Sequence, residues 1–383
     1  MRPGVLVRVL LVAALVGSLG ACSKDGKVRE PAELQDIVNP QLRLSTVWTA
    51  RAGEGSGKYR ASLDVTVAED AVYAAEVGGR VYAFDPNTGA RLWVTDTDAR
   101  VISGPSVSGN AVLVGTMEGE VIALKRADGA PYWRSTISSE ALATPVGDGN
   151  LVIARAGDGR VHALSAVSGS ALWMFERTVP SLTLRGLGKP VIDGNRVFVG
   201  MDNGRVAALR MADGQPIWEQ AVAAPSGRNE LERLTDIDGA LLLDGGELYV
   251  ASYGGEVACL DGDTGQVLWR RAVKSYTGPT RIGDIIVVSD ESGVVWGLDA
   301  TTGAAAWKNE DLKYRRLSPP AAFAERIVVG DYEGYLHWLD PKDGRLVARA
   351  RAGRDPIQAV PVADGALLYV LDTAGRLAAI RAD

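Results

Sequence analysis

Side chains able to do chemistry are few and scattered in this 383-residue chain, which holds two cysteines, Cys22 and Cys259, and two histidines, His162 and His337. Two distant thiols cannot supply a CxxC redox centre, a four-cysteine zinc site or a disulfide framework. Two imidazoles limit acid–base and metal chemistry in the same way. Lys and Arg number 41 against 47 Asp and Glu, a formal net charge of -6, so no global basic field exists to hold a phosphate backbone. Nucleic acid is not an expected partner, and no metal or cofactor site is expected either. The one place where modification chemistry is expected is Cys22.

Met1 to Ala21 carries Arg2 and Arg8 followed by a Val/Leu/Ala run, the layout of a secretory signal. The apolar run between Arg8 and Cys22 is shorter than the roughly 20 residues a membrane-spanning helix needs, which disfavours a retained anchor. Leu19-Gly20-Ala21-Cys22 resembles the bacterial lipobox, in which small residues admit a peptidase to the bond before an acylated cysteine. On that reading residues 1–21 are removed, Cys22 becomes a lipidated N-terminus, and residues 22–40 form a polar tether. By resemblance to sorted lipoproteins, Ser23 after the cysteine implies the outer membrane. An ordinary signal peptide with an incidental cysteine is the alternative.

Behind these residues lies a repeat. The stretch Gly79-Arg80-Val81-Tyr82-Ala83-Phe84-Asp85-Pro86-Asn87-Thr88-Gly89-Ala90-Arg91-Leu92-Trp93 recurs from leading glycines at Gly79, Gly119, Gly159, Gly204, Gly255, Gly293, Gly334 and Gly375. That spacing matches the roughly 40 to 50 residues of a four-stranded propeller blade, so eight starts predict an all-β, eight-bladed β-propeller over residues 41–383. A glycine ten residues after each of the first seven starts suits a hairpin turn with positive φ. Fourteen after the start stand Trp93, Trp133, Trp173, Trp218, Trp269 and Trp307, whereas the seventh repeat has Ala348. One blade is thus expected to lack its aromatic wedge. The position five after the start is always large and apolar and reads as inter-blade core. The position before it is mostly Ala, which makes Cys259 a buried, inert thiol. His162 and His337, each three after its start, read as sheet packing.

The eighth repeat stops at Asp383, before its turn glycine and tryptophan. Leu42 to Trp48 offers an unpaired strand bearing a tryptophan, so the N-terminal strand is expected to complete the last blade and remove exposed edges. Two links between repeats are longer than the rest, Trp173 to Gly204 and Trp218 to Gly255. In a four-stranded blade both fall at one end of the ring, in neighbouring links. They contain Val179-Pro180-Ser181-Leu182-Thr183-Leu184-Arg185-Gly186 and Glu230-Leu231-Glu232-Arg233-Leu234-Thr235-Asp236-Ile237-Asp238. Apolar residues interleaved with charge in surface loops suggest a binding patch. Loops packed only on their own blades are the alternative.

The repeat Gly-x-Val-x-Ala-Leu-Asp-x-x-Thr-Gly-x-x-x-Trp resembles the pyrroloquinoline-quinone-type propeller repeat, which implies a fold and not an activity. With the lipobox, the sequences Pro-Ser-Leu-Thr-Leu-Arg-Gly and Glu-Arg-Leu-Thr-Asp-Ile-Asp, and the stretch Gly330 to Trp338, the chain resembles the BamB family of propeller lipoproteins of the outer-membrane β-barrel assembly machine. That resemblance implies a non-enzymatic scaffold without cofactor. It would be lipid-anchored on the periplasmic side of the outer membrane and would bind the periplasmic domains of BamA, with unfolded barrel precursors as further partners. It also implies Leu182, Leu184, Arg185, Asp236 and Asp238 as contact residues. The rival implied by the shared repeat is a quinoprotein dehydrogenase, whose relatives carry an adjacent cysteine pair that Cys22 and Cys259 cannot form. A propeller serving another envelope ligand is the third reading.

Overall fold

Eight antiparallel sheets follow one another along the chain in a computed structural model that describes residues 29–383 apart from residues 60, 178–187, 224–235, 238 and 254. All strands belong to one unit, Ala32–Asp383. The first blade is Thr66–Ala68, Ala71–Ala75, Arg80–Phe84 and Arg91–Asp96, hydrogen-bonded in chain order. The next six repeat that order, and no helix occurs among the described residues. The third strand of each blade is buried where the repeat is apolar, and its large residues pack against the adjoining blade. Phe84 and Leu124 are 2% and 1% exposed, so the predicted core position lies between sheets.

The ring closes as expected. Leu44–Arg51 pairs antiparallel with Arg376–Ala382, supplying the fourth strand of blade 8. In seven seams a tryptophan of an outer strand leans onto the next blade's hairpin glycine. A Cβ built on Gly129 would stand 2.6 Å from Trp93 Cε3, and Gly129 has φ +72, so two independent reasons favour glycine there. Each of these tryptophans also donates its indole N–H to a carbonyl seven residues after the neighbour's leading glycine, as from Trp48 to Pro86 at 2.9 Å and from Trp133 to Ala166 at 2.8 Å.

The eighth seam lacks the wedge, as Ala348 implies, and the aromatic stands on the neighbouring strand instead. Ala348 faces a blade split between the chain ends, where no hairpin glycine stands opposite to receive an indole ring. The register pairs Ala348 with Trp338, whereas elsewhere it pairs a tryptophan with Ala, Gly or Cys259. Large and small have exchanged strands, so the volume of the pair is kept. Trp338 is fully buried, and its Nε1 has no hydrogen-bond partner.

Two features carried no repeat signal. Ser62–Leu63 forms a fifth strand parallel to Val101–Ser108 of blade 2. Residues 32–40, inside the stretch read from sequence as tether, lie with Gln41 as a strap on the propeller. Ala32 N–H donates to Lys313 O, Gln41 N–H donates to Val347 O, and Leu34 packs on the apolar cluster around Trp307 and Leu317.

Candidate functional site

The end of the ring that carries the two insertions is defined by one recurring backbone bond. The residue two before the leading glycine, in the turn between the second and third strands, donates its N–H to the carbonyl of the incoming link. Met117 donates to Arg100 at 2.9 Å, Tyr253 to Asp236 at 3.0 Å and Tyr332 to Arg315 at 3.1 Å. These acceptors stand 19 residues before their leading glycines, and counting back the same 19 from Gly204 reaches Arg185. Arg185 and Asp236 therefore hold equivalent repeat positions in successive blades. This register is a sequence signal that reading each insertion in isolation did not use.

In two other blades the side chain at this position turns onto its own blade. Arg100 Nε lies 2.9 Å from Glu118 Oε1. Arg315 Nε lies 2.8 Å from Asp331 Oδ2, and its Nη2 pairs with Glu333. Charge at the slot thus has a structural use, holding the link down. Asp236 is 1% exposed, with Ile237 fully buried beside it. Ile237 Cγ2 lies where a Cβ on Gly200 would come within 2.6 Å, so Gly200 admits the end of the second insertion. A buried ion pair, Arg155 with Asp202, joins blades 3 and 4 next to it. Of the five expected contact residues, the structure places Asp236 in this floor. Leu182, Leu184, Arg185 and Asp238 lie outside the described residues, as does Cys22.

A well of about 960 Å³ opens in the same unit, lined among others by Asp64, Lys189, Tyr253, Tyr276 and Arg316. Burial raises the pKa of Asp64, opposed by Lys189 and by the N–H of Val360. Among the described residues no three of His, Cys, Asp and Glu gather as metal ligands. Cys259 is fully buried in blade 5. Burial pushes its thiol up to about 12, which keeps it protonated and unreactive at neutral pH. His162 contacts Ser138 Oγ at 2.8 Å, and burial lowers its pKa.

Fold and repeat together define an eight-bladed propeller of the pyrroloquinoline-quinone type. The family described as outer membrane protein assembly factor BamB matches residues 77–309. Among curated relatives, the assembly factor BamB of Pseudomonas aeruginosa is 47% identical, covering 96% of this chain and 97% of its own. That of Xanthomonas campestris pv. campestris is 40% identical, covering 98% and 97%. The crystal structure of BamB from Moraxella catarrhalis superposes with a TM-score of 0.82 at 28% identity, over 88% of this chain and all of that one. The chain belongs to the BamB family of outer membrane protein assembly factors. A europium-containing methanol dehydrogenase shares the fold alone, with a TM-score of 0.72 at 14% identity.

Proposed function

We propose that this protein is a non-enzymatic scaffold lipoprotein of the outer-membrane β-barrel assembly complex. Acylated at Cys22, it is held on the periplasmic side of the outer membrane. There its insertion face binds the periplasmic domains of BamA and assists folding and insertion of outer-membrane proteins, with unfolded precursors as transient partners. Family membership across nearly the whole chain supports the role. One observation carries the choice of face: the long links Trp173 to Gly204 and Trp218 to Gly255 enter neighbouring blades at one end, with Arg185 and Asp236 in equivalent positions.

Leu182 and Leu184 would form the desolvated centre of the contact, and Arg185 would offer a bidentate donor to a partner carboxylate. The burial of Asp236 supports a different part for that residue, fixing the end of the second insertion so that Asp238 and the loop before it are presented. The role is tested by isolating the tagged protein from detergent-solubilised membranes. Co-purification of barrel-assembly subunits is expected, and their absence would point to another envelope partner. The anchor is tested by metabolic acyl labelling: Cys22→Ala should lose all label, and a labelled variant would refute lipidation at this residue.

A further inference from the structure

The stretch Gly330 to Trp338 stood out in the sequence, and the insertion face makes no use of it. Its side chains form a buried row beneath the strap. Asp331 Oδ2 accepts from Arg315 Nε at 2.8 Å and lies 2.9 Å from His337 Nε2. On the other side of the ring, His337 Nδ1 lies 3.2 Å from Arg349 Nε, which donates to it. A guanidinium has no acceptor, so Nδ1 is bare and the one imidazole proton sits on Nε2, donated to Asp331. Both ends of this row hold the strap. Arg315 Nη1 donates to Ala32 O at 2.9 Å, and Arg349 Nη1 donates to Gln35 O at 3.0 Å.

We propose that this row is a proton-operated clasp: neutral His337 lets Arg349 grip the strap Ala32–Gln41, and a second proton, taken at Nδ1, lets it go. The added proton turns an N–H···N bond into two donors facing each other. It also places a third cation between Arg315 and Arg349. Asp331 faces the ring from the turn preceding its strand, Arg349 from the outer strand, and Arg315 from the incoming link. Glu333 pairs with Arg315, Asp36 of the strap acts on Arg349, and the Tyr335 ring lies 6.3 Å away. Asp331 and Glu333 match the two guanidiniums, leaving the additional charge unbalanced except by Asp36, which departs with the strap. Arg349 Nη2 is buried without a hydrogen-bond partner, so little else holds that guanidinium in place.

Burial lowers the pKa of His337 below its ordinary 6.5, with the Asp331 carboxylate opposing. Release would take the Arg349 guanidinium off Nδ1, removing both a facing donor and a neighbouring cation, so the released state takes the proton more readily than the clasped one. Clasping is therefore fully favoured above about pH 6.5 and weakens as pH falls below it. Release starts at Gln35, because the grip of Arg315 on Ala32 does not pass through the imidazole. Complete release would free ten residues and add up to about 35 Å to the reach of the chain preceding the propeller.

The test follows the His337 ring and the strap amides by NMR and hydrogen exchange on the intact protein, with His162 the only other imidazole to assign. After correction for intrinsic exchange, the Gln41 amide should exchange about tenfold faster near pH 5 than near pH 7, and the Ala32 amide less so. The midpoint of that change should coincide with titration of His337. His337→Gln keeps a donor and an acceptor but takes no proton, and should hold Gln41 protected at both pH values. Flat exchange at Gln41 in the parent protein, a midpoint apart from the His337 titration, or an unchanged pH response in His337→Gln would each overturn the clasp. If His337→Gln does not fold, agreement or disagreement of the two midpoints in the parent protein decides.

Discussion

The incoming links of blade 7 and of blades 4 and 5 use the same repeat position to opposite ends. In blade 7 the position holds Arg315, 3% exposed, whose charge is spent inside the molecule on Asp331, Glu333 and the strap. In blades 4 and 5 it holds Arg185 and Asp236 beside the two long insertions. A charge at this slot can fasten a link, or fasten something to the ring. Blade 7 shows that a guanidinium here can hold a backbone segment by donating to its carbonyl. The insertion face is proposed to apply the same chemistry to another protein.

The comparison can be broken first at the ring that both links depend on. Deleting Leu44 to Arg51 removes the fourth strand of blade 8 and leaves the edge of Arg376–Ala382 unpaired. Cooperative thermal unfolding should disappear, whereas deletion of residues 24–31 should leave the midpoint unchanged. Equal midpoints would mean that the ring does not need its N-terminal strand.

Trp338→Ala should cost about 3 to 5 kcal/mol by denaturant unfolding, the ordinary range for emptying a buried tryptophan site. Adding Ala348→Trp should recover only a minor part of the loss, because blade 8 offers no hairpin glycine to receive the ring. Full recovery would show that the seam accepts a wedge in the usual position. Arg315→Met should cost about 3 kcal/mol or more by leaving Asp331 buried without its guanidinium partner. It should also raise hydrogen exchange at Ala32. A stability loss without strap exposure would separate the ion pair from strap docking.

Asp236→Lys should lower the melting temperature and weaken partner capture together, because the side chain is buried at the base of its insertion. Weakened capture at unchanged stability would instead put Asp236 in contact with the partner.

Much of this was legible in the sequence because a propeller writes its period into turn glycines, wedge tryptophans and an alternating third strand. Blade number, ring closure and the inert setting of Cys259 follow from those marks. The exchange of Trp338 with Ala348 is not legible strand by strand, since it depends on the neighbouring blade being split between the chain ends. The strap hid for a related reason. Residues 32–41 have no strand pattern of their own and are held by Arg315 and Arg349, roughly three hundred residues away in sequence, through backbone carbonyls that any residue would offer. At the candidate site the positions of the insertions were readable, and so was the equivalence of Arg185 with Asp236 by counting. The burial of Asp236 was not, because it depends on how the end of the link beds down on the ring, where Ile237 is fully buried beside it and Tyr253 N–H holds the Asp236 carbonyl.

The central claim is that the insertion face is a binding surface, and Arg185→Glu tests it most directly. Affinity for purified BamA periplasmic domains should be measured alongside thermal unfolding for this variant and the parent protein. Binding weaker by about 2 kcal/mol or more, at an unchanged melting temperature, is the predicted result. Undiminished binding, or a loss explained entirely by a lower melting temperature, would contradict the claim.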